Sequence, residues 1–127
     1  MTIQIQLPPS TIAGVYAESY SNLSASAGSN TTSFTAVPVG QVWIIEGAAV
    51  WDATTKIGQV SIRVYRDGGL RVIARIAPTA ALDAAQLNSP IVLFPGEYIA
   101  FQWNSCTLND DIYAECIGIK FAIDLGI

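Results

Sequence analysis

The 127-residue chain contains no histidine, and that absence removes more chemistry than any motif supplies. A His-based catalytic triad, an imidazole metal ligand and a proton switch titrating near neutral pH are all excluded. Charge is scarce too, because Asp, Glu, Lys and Arg make up 13% of the residues, about half the ~25% of an ordinary soluble domain. With 6 basic against 10 acidic groups the net charge is −4. That charge gives no general attraction to a phosphate backbone, so nucleic acid is not an expected partner. Two cysteines are too few for a disulfide framework. Long apolar runs are missing as well. Val42–Ile45 and Gly47–Trp51 fall far short of the roughly 18–20 residues of a helical membrane span, so no membrane partner is expected. The opening residues, Met1 to Pro9, have neither a basic leader nor a long apolar run. This predicts no secretory signal, synthesis in a cytoplasm and reduced thiols.

What is present is hydrophobic: 51% of the chain. A chain of this mass folds with roughly 6,500 Å² of surface against about 19,600 Å² unfolded, enough for one domain with a real core and no staple. With so few charges, much of that surface must be neutral or apolar, and such surface is usually covered by a partner. The composition therefore points to an assembly component made of a single domain over residues 1–127.

Apolar residues alternate with period two nearly throughout, and no window keeps helical spacing, so the chain reads as all-β. Ile3, Ile5 and Leu7 form a short N-terminal strand or arm, over residues 1–9, ended by Pro8-Pro9. A strand over Ile12–Tyr20 follows, then a polar loop over 21–33 and strand content again at Phe34–Val37. In Gln41–Trp51 both alternating sets are apolar, with Trp43 and Trp51 on the same face, which predicts a central strand covered on both sides. Val60–Tyr65 and Leu70–Ile76 read as a hairpin. Keeping even-numbered apolar residues on one face pairs Val64 with Val72 and Ile62 with Ala74, leaving Asp67-Gly68-Gly69 as a three-residue loop. Residues 78–86 are alanine-rich and could make one helical turn. Ile91–Phe94, Tyr98–Asn104 and Ile112–Asp124 complete the set. The expected fold is a single antiparallel β-sandwich or jelly roll of about eight strands.

Few residues invite chemistry. Asp110, Asp111 and Glu115 could bind calcium or act as a glycosidase pair. The ordered spacing of a calcium loop is missing, and a hairpin turn explains them better. Cys106 and Cys116 could form a metal or redox pair. If the last two strands pair with Phe101 opposite Ile117, however, their sulfurs stand roughly 13 Å apart, and two buried thiols result. Asn22-Leu23-Ser24 and Asn30-Thr31-Thr32 match the glycosylation sequon by chance in a Ser/Thr-rich stretch. No catalytic residue, cofactor or metal ligand is expected. Four of the six basic residues, Arg63, Arg66, Arg71 and Arg75, fall on the hairpin. In the register above, Arg63, Tyr65, Arg71, Ile73 and Arg75 share its outer face, the mixture that protein interfaces enrich. Ile3, Ile5 and Leu7 are the other candidate contact residues, through strand addition to a neighbouring subunit.

The run Val37-Pro38-Val39-Gly40-Gln41-Val42-Trp43-Ile44-Ile45-Glu46, the hairpin over 60–76 and Ile91-Val92-Leu93-Phe94-Pro95-Gly96-Glu97-Tyr98-Ile99 carry a resemblance. They resemble the "VPxGxxW" strand entry and the "L-x-PGE/D-x-I" turn of small β-sandwich virion proteins of tailed bacteriophages, over about residues 34–123. The resemblance implies a capsid decoration or cement protein, often a homotrimer, or an accessory piece of neck or tail. The expected function is a structural, non-enzymatic virion protein whose partners are itself and a major capsid or other virion protein. The alternative is a tail or neck domain that binds a receptor or carbohydrate through the loops Ser21–Ser33 and Leu108–Asp111; Trp43, Trp51 and Trp103 could form a sugar-stacking platform but read better as core or interface residues.

Overall fold

The structure is a computed structural model that describes residues 12–123. The strands over those residues are β1 (Ile12–Asn22), β2 (Gly28–Ser33), β3 (Gln41–Asp52), β4 (Gln59–Arg66), β5 (Gly69–Ile76), β6 (Ala85–Gln86), β7 (Ile91–Leu93), β8 (Tyr98–Cys106) and β9 (Ile112–Ala122). They form two antiparallel sheets. Sheet A has the order β1-β9-β3, with the short strands β6 and β7 both pairing β3; sheet B has the order β2-β8-β4-β5. Only β4–β5 and β6–β7 remain within one sheet. The other connections cross the sandwich, which is the double Greek-key path of a jelly roll.

Alternation fixes what lies between the sheets. Trp43, Ile45 and Val50 of β3 with Ala114 and Cys116 of β9 meet Val60, Ile62 and Val64 of β4 with Ile99, Phe101 and Trp103 of β8. Phe34 packs edge-on against Phe101 at 4.8 Å, closing one side of this core. Trp103 is fully buried, and its indole Nε1 donates to the Trp51 carbonyl at 2.9 Å, a hydrogen bond from sheet B to sheet A. A buried indole needs such a partner, which places this residue in the core and takes it out of any sugar-stacking platform.

Several sequence expectations are corrected by register. The β4–β5 hairpin does pair Ile62 with Ala74, but Val64 lies opposite Arg71 and Val72 opposite Arg63. Its turn is the two-residue Asp67-Gly68, both with positive φ (54° and 79°), the primed turn whose twist matches the strands it joins. The odd residue is absorbed as a β-bulge at Ile73. A second bulge, at Glu46, reverses the alternation of β3, so Trp43 faces the core while Trp51 faces outward and stacks on Tyr113 at 5.5 Å.

The polar stretch read as a loop contains β2, whose Asn30–Ser33 pair with Trp103–Ala100 of β8. A Ser/Thr/Asn strand is sustained here by a partner's ladder and not by its own apolar face. Phe34–Val37 is instead irregular, though its ends donate to Ile99 and Glu97 carbonyls. Residues 78–86 contain the two-residue β6 and no helix. Most consequentially, β8 and β9 do not form a hairpin but belong to opposite sheets.

Candidate interaction surface

The outer face of sheet A is built from the residues that alternation turns away from the core. Val15 of β1 pairs with Ile119 of β9, Ile119 with Ile44 of β3, and Ile44 with Val92 of β7. A single row of four β-branched apolar side chains thus crosses the whole sheet. Above it run Ala17, Ile117 and Gly47; below it run Phe121 and Val42. The described residues put nothing over this face: Val15 is 77% exposed, Ile117 55% and Val92 40%. At the opposite end the face becomes mixed, with Ser19, Glu115 and Ala49 in register. An open hollow of about 320 Å³ lies between these two regions, beside the β3 bulge, lined by Gly47, Ala49, Glu115 and Ile117 among others.

The two-sided apolarity of β3 is the sequence signal that finds this surface. The alternation predicts a strand covered on both sides, and the described residues cover one side only. Ile117, Ile119 and Phe121 of β9, alternating with Cys116, Gly118 and Lys120, carry the same signal and were not singled out.

The arginine-rich hairpin is divided by its bulge. Arg63, Tyr65 and Arg75 stand on the outer face of sheet B, joined there by Leu70 and Val72. Ile73 is turned inward and packs against the core, and Arg71, opposite the buried Val64, points to the core-side edge. The shared face expected for all five is therefore wrong for Arg71 and Ile73, because one inserted residue flips every side chain beyond it. Arg63 donates to the Gln102 side-chain carbonyl and, at 3.4 Å, to Ser61 Oγ. Tyr65 stacks on Tyr98 with ring centroids 4.9 Å apart and planes within 3°. This face thus combines ordered arginine and tyrosine side chains with the exposed Leu70 and Val72. Ile3, Ile5 and Leu7 lie outside the described residues.

Arg66, at the end of β4, is not part of that face. Its guanidinium forks onto Glu97 at 2.7 and 2.9 Å and donates to the Val92 carbonyl at 2.5 Å. The fork holds the Glu97 carboxyl below its ordinary pKa and raises that of Arg66.

The carboxylates considered for catalysis are not brought together. Asp110 is buried in the β8–β9 connection, accepting from Thr55 Oγ1 at 2.6 Å and from Thr107 N at 2.9 Å. Glu115 is exposed on the outside of sheet A. The turn reading therefore describes this segment, with Asn109 at φ 70°. Cys106 and Cys116 are free, buried thiols, as expected, though the argument from a shared ladder fails since their strands lie in different sheets. Burial pushes the Cys116 thiol up to about 12 and makes it inert.

Neither a protein-family model nor a curated protein sequence matches the chain. Solved structures do. The nucleoplasmin-like N-terminal domain of Drosophila FKBP39 aligns over 96% of this chain and 100% of its own, with a TM-score of 0.50 at 10% identity. A chain of the cyanophage Pam1 capsid asymmetric unit aligns over 98% of this chain and 94% of its own, with a TM-score of 0.51 at 12% identity. At these identities the likeness is one of fold, and it agrees with the jelly-roll path traced above.

Proposed function

We propose that this chain is a non-enzymatic structural protein of a phage particle. In this reading it decorates or cements the head, assembling with further copies of itself as a trimer through the outer face of sheet A and meeting the shell through the Arg63–Tyr65 face of sheet B. The observation that carries the reading is the apolar row Val15–Ile119–Ile44–Val92, left uncovered by the described residues on a chain with few charges. Three long strands spaced ~4.8 Å apart along the 11 residues of β9, with the short β6 and β7 at their edge, offer roughly 600 Å², below the ~800 Å² per partner of a standard interface. A row of Val and Ile on a pleated surface loses little side-chain entropy when covered. The fold shared with a chain of the Pam1 capsid supports a virion role, as does the sequence resemblance to small virion proteins of tailed phages. The carbohydrate-binding alternative keeps less support, since Trp103 is in the core, Trp43 is buried and the stretch 21–33 holds β2, which leaves Trp51, stacked outward on Tyr113, and the turn at 108–111.

Light scattering on the purified full chain tests this reading. A closed oligomer, three copies, is expected at micromolar concentration, and Ile117→Glu converts it to a folded monomer with unchanged far-UV circular dichroism. A wild-type chain that is monomeric at tens of micromolar and does not bind phage heads overturns the proposal.

A further inference from the structure

At the end of the sandwich opposite the Arg66–Glu97 fork, three groups from distant parts of the sequence converge. Asp52 ends β3 in sheet A, Cys106 ends β8 in sheet B, and Asp110 lies in the connection between β8 and β9. All three are buried, and their ligand atoms lie within 4.8 Å of one another. Asp52 is 2% exposed and Asp110 1%. Two carboxyl groups side by side in a dry interior cannot both carry bare charge, since desolvation alone makes each expensive.

Tracing the donors oxygen by oxygen shows what is missing. Asp52 Oδ1 accepts from the Thr54 and Thr55 amides at 2.9 and 3.0 Å. Asp110 Oδ1 accepts from Thr55 Oγ1, and Asp110 Oδ2 from the Thr107 amide. Asp52 Oδ2 is buried and no backbone amide or hydroxyl donates to it; the polar group that faces Asp52 is the Asp110 carboxyl. A buried oxygen facing a second carboxyl needs positive charge between them, supplied by a proton shared by the pair or by a metal ion, and the thiol beside them offers a metal its third ligand.

We propose that Asp52, Cys106 and Asp110 form a structural site for a divalent ion of the zinc class. The donor set of two carboxylate oxygens and a sulfur selects for that class: calcium and magnesium take oxygen ligands in larger number and do not use thiolate. Zinc bonds of about 2.0–2.3 Å draw ligand atoms to roughly 3.5 Å apart, a contraction that side-chain rotation can supply, and leave a fourth position for water. On binding, the Cys106 thiol gives up its proton to solvent, so that a thiolate and two carboxylates face the dication. Because the ligands come from both sheets and from the loop joining them, the ion would tie the open end of the sandwich, and its binding free energy would add to folding. Cys116, with no such carboxylate pair, lies outside the site and serves as an internal control.

The full chain, stripped with chelator and dialysed, is titrated with Zn²⁺ and with Co²⁺. One equivalent of Zn²⁺ is expected to bind, with a melting temperature that rises with Zn²⁺ concentration. Co²⁺ should give a near-ultraviolet thiolate-to-metal absorption band. Cys106→Ser abolishes that band and Cys116→Ser leaves it. Asp52→Asn, whose amide can donate to Asp110 and so preserve the fold, weakens Zn²⁺ binding by at least about 10-fold. Failure of wild type to bind Zn²⁺ stoichiometrically at micromolar concentration, with no cobalt–thiolate band, overturns the proposal whatever the variants do. A higher melting temperature for Asp52→Asn would then assign the cation as a proton shared by the two carboxyls. Oligomerisation is read separately, so neither result depends on the head-decoration reading.

Discussion

Single residues in this chain act mainly through backbone approach and donor supply, and Gly118 shows the first. It sits on the inward face of β9 next to the β3 bulge, where a Cβ would overlap the Ile44 carbonyl oxygen and meet Ile45 Cα at 3.0 Å. Backbone atoms in a central ladder cannot swing aside as a side-chain tip can. Gly118→Ala is therefore expected to destabilise by about 1–3 kcal/mol, the usual cost of forcing atoms into a packed core. At Gly47, across the same pair of strands, an added Cβ meets the Ile117 side chain at 3.4 Å (Cγ1) and 3.8 Å (Cδ1), ordinary contact distances, so Gly47→Ala is close to neutral. Denaturant midpoints for the two variants check this, and equal midpoints would contradict the close approach of β9 to β3. None of it was legible in sequence, because a glycine in a strand pattern does not announce which backbone it touches. Asp52, Cys106 and Asp110 were equally hidden as a group. Two of them were visible singly, but with Glu115 and Cys116 as assumed partners, since sequence proximity was the only guide to spatial proximity.

Among elements, the legible part was alternation and the illegible part was what interrupts it. The strands β3, β4, β5, β8 and β9 all fall where period-two hydrophobicity places them, and Pro95-Gly96 and Asp67-Gly68 mark true turns. The bulges at Glu46 and Ile73 have no residue signature, yet each flips a face, and they alone account for the misplaced Trp51, Arg71 and Ile73. The ends of the elements are held by polar ties that cross the sandwich. Arg66 of β4 in sheet B reaches the Val92 carbonyl of β7 in sheet A and the Glu97 carboxylate beside it. The Glu97 pKa is lowered from its ordinary value near 4.5 by the Arg66 hydrogen bonds. A lowered folded-state pKa means that the stabilisation is fully present above about 4.5 and is lost as pH falls through the folded value. Glu97→Gln should thus cost about 1–2 kcal/mol at pH 7. That difference shrinks below pH ~4.5 and disappears once wild-type Glu97 is protonated. Unfolding midpoints compared at pH 7 and pH 2.5 measure it; a gap that persists at pH 2.5 would show that the carboxylate charge is not what holds the tie.

At the scale of the whole molecule, two outer faces of different chemistry lie back to back. Sheet A offers Val, Ile and Phe; sheet B offers Arg63 and Arg75 with the stacked Tyr65–Tyr98 pair. Length and composition predict a surface poor in charge, but not which face carries the apolar residues, because the pairing of β9 with β1 and β3 is set by contacts between ends of the chain. The two faces respond oppositely to salt. Between 0.1 and 1 M the screening length falls from about 10 Å to about 3 Å, which weakens contacts made by exposed charges. Burial of apolar surface is not screened, and sulfate strengthens it. If copies associate through sheet A while sheet B meets the shell, raising NaCl from 0.1 to 1 M leaves the oligomer intact and releases it from heads. Sulfate at the same concentration favours the oligomer further. Arg63→Glu should mimic the NaCl effect on head binding without changing the oligomeric mass, whereas Ile117→Glu disperses the oligomer at any salt concentration. Sedimentation of heads with and without bound protein, alongside the mass of the free oligomer, separates the two contacts. An oligomer that dissolves in 1 M NaCl would place the self-contact on the arginine face and reverse the assignment.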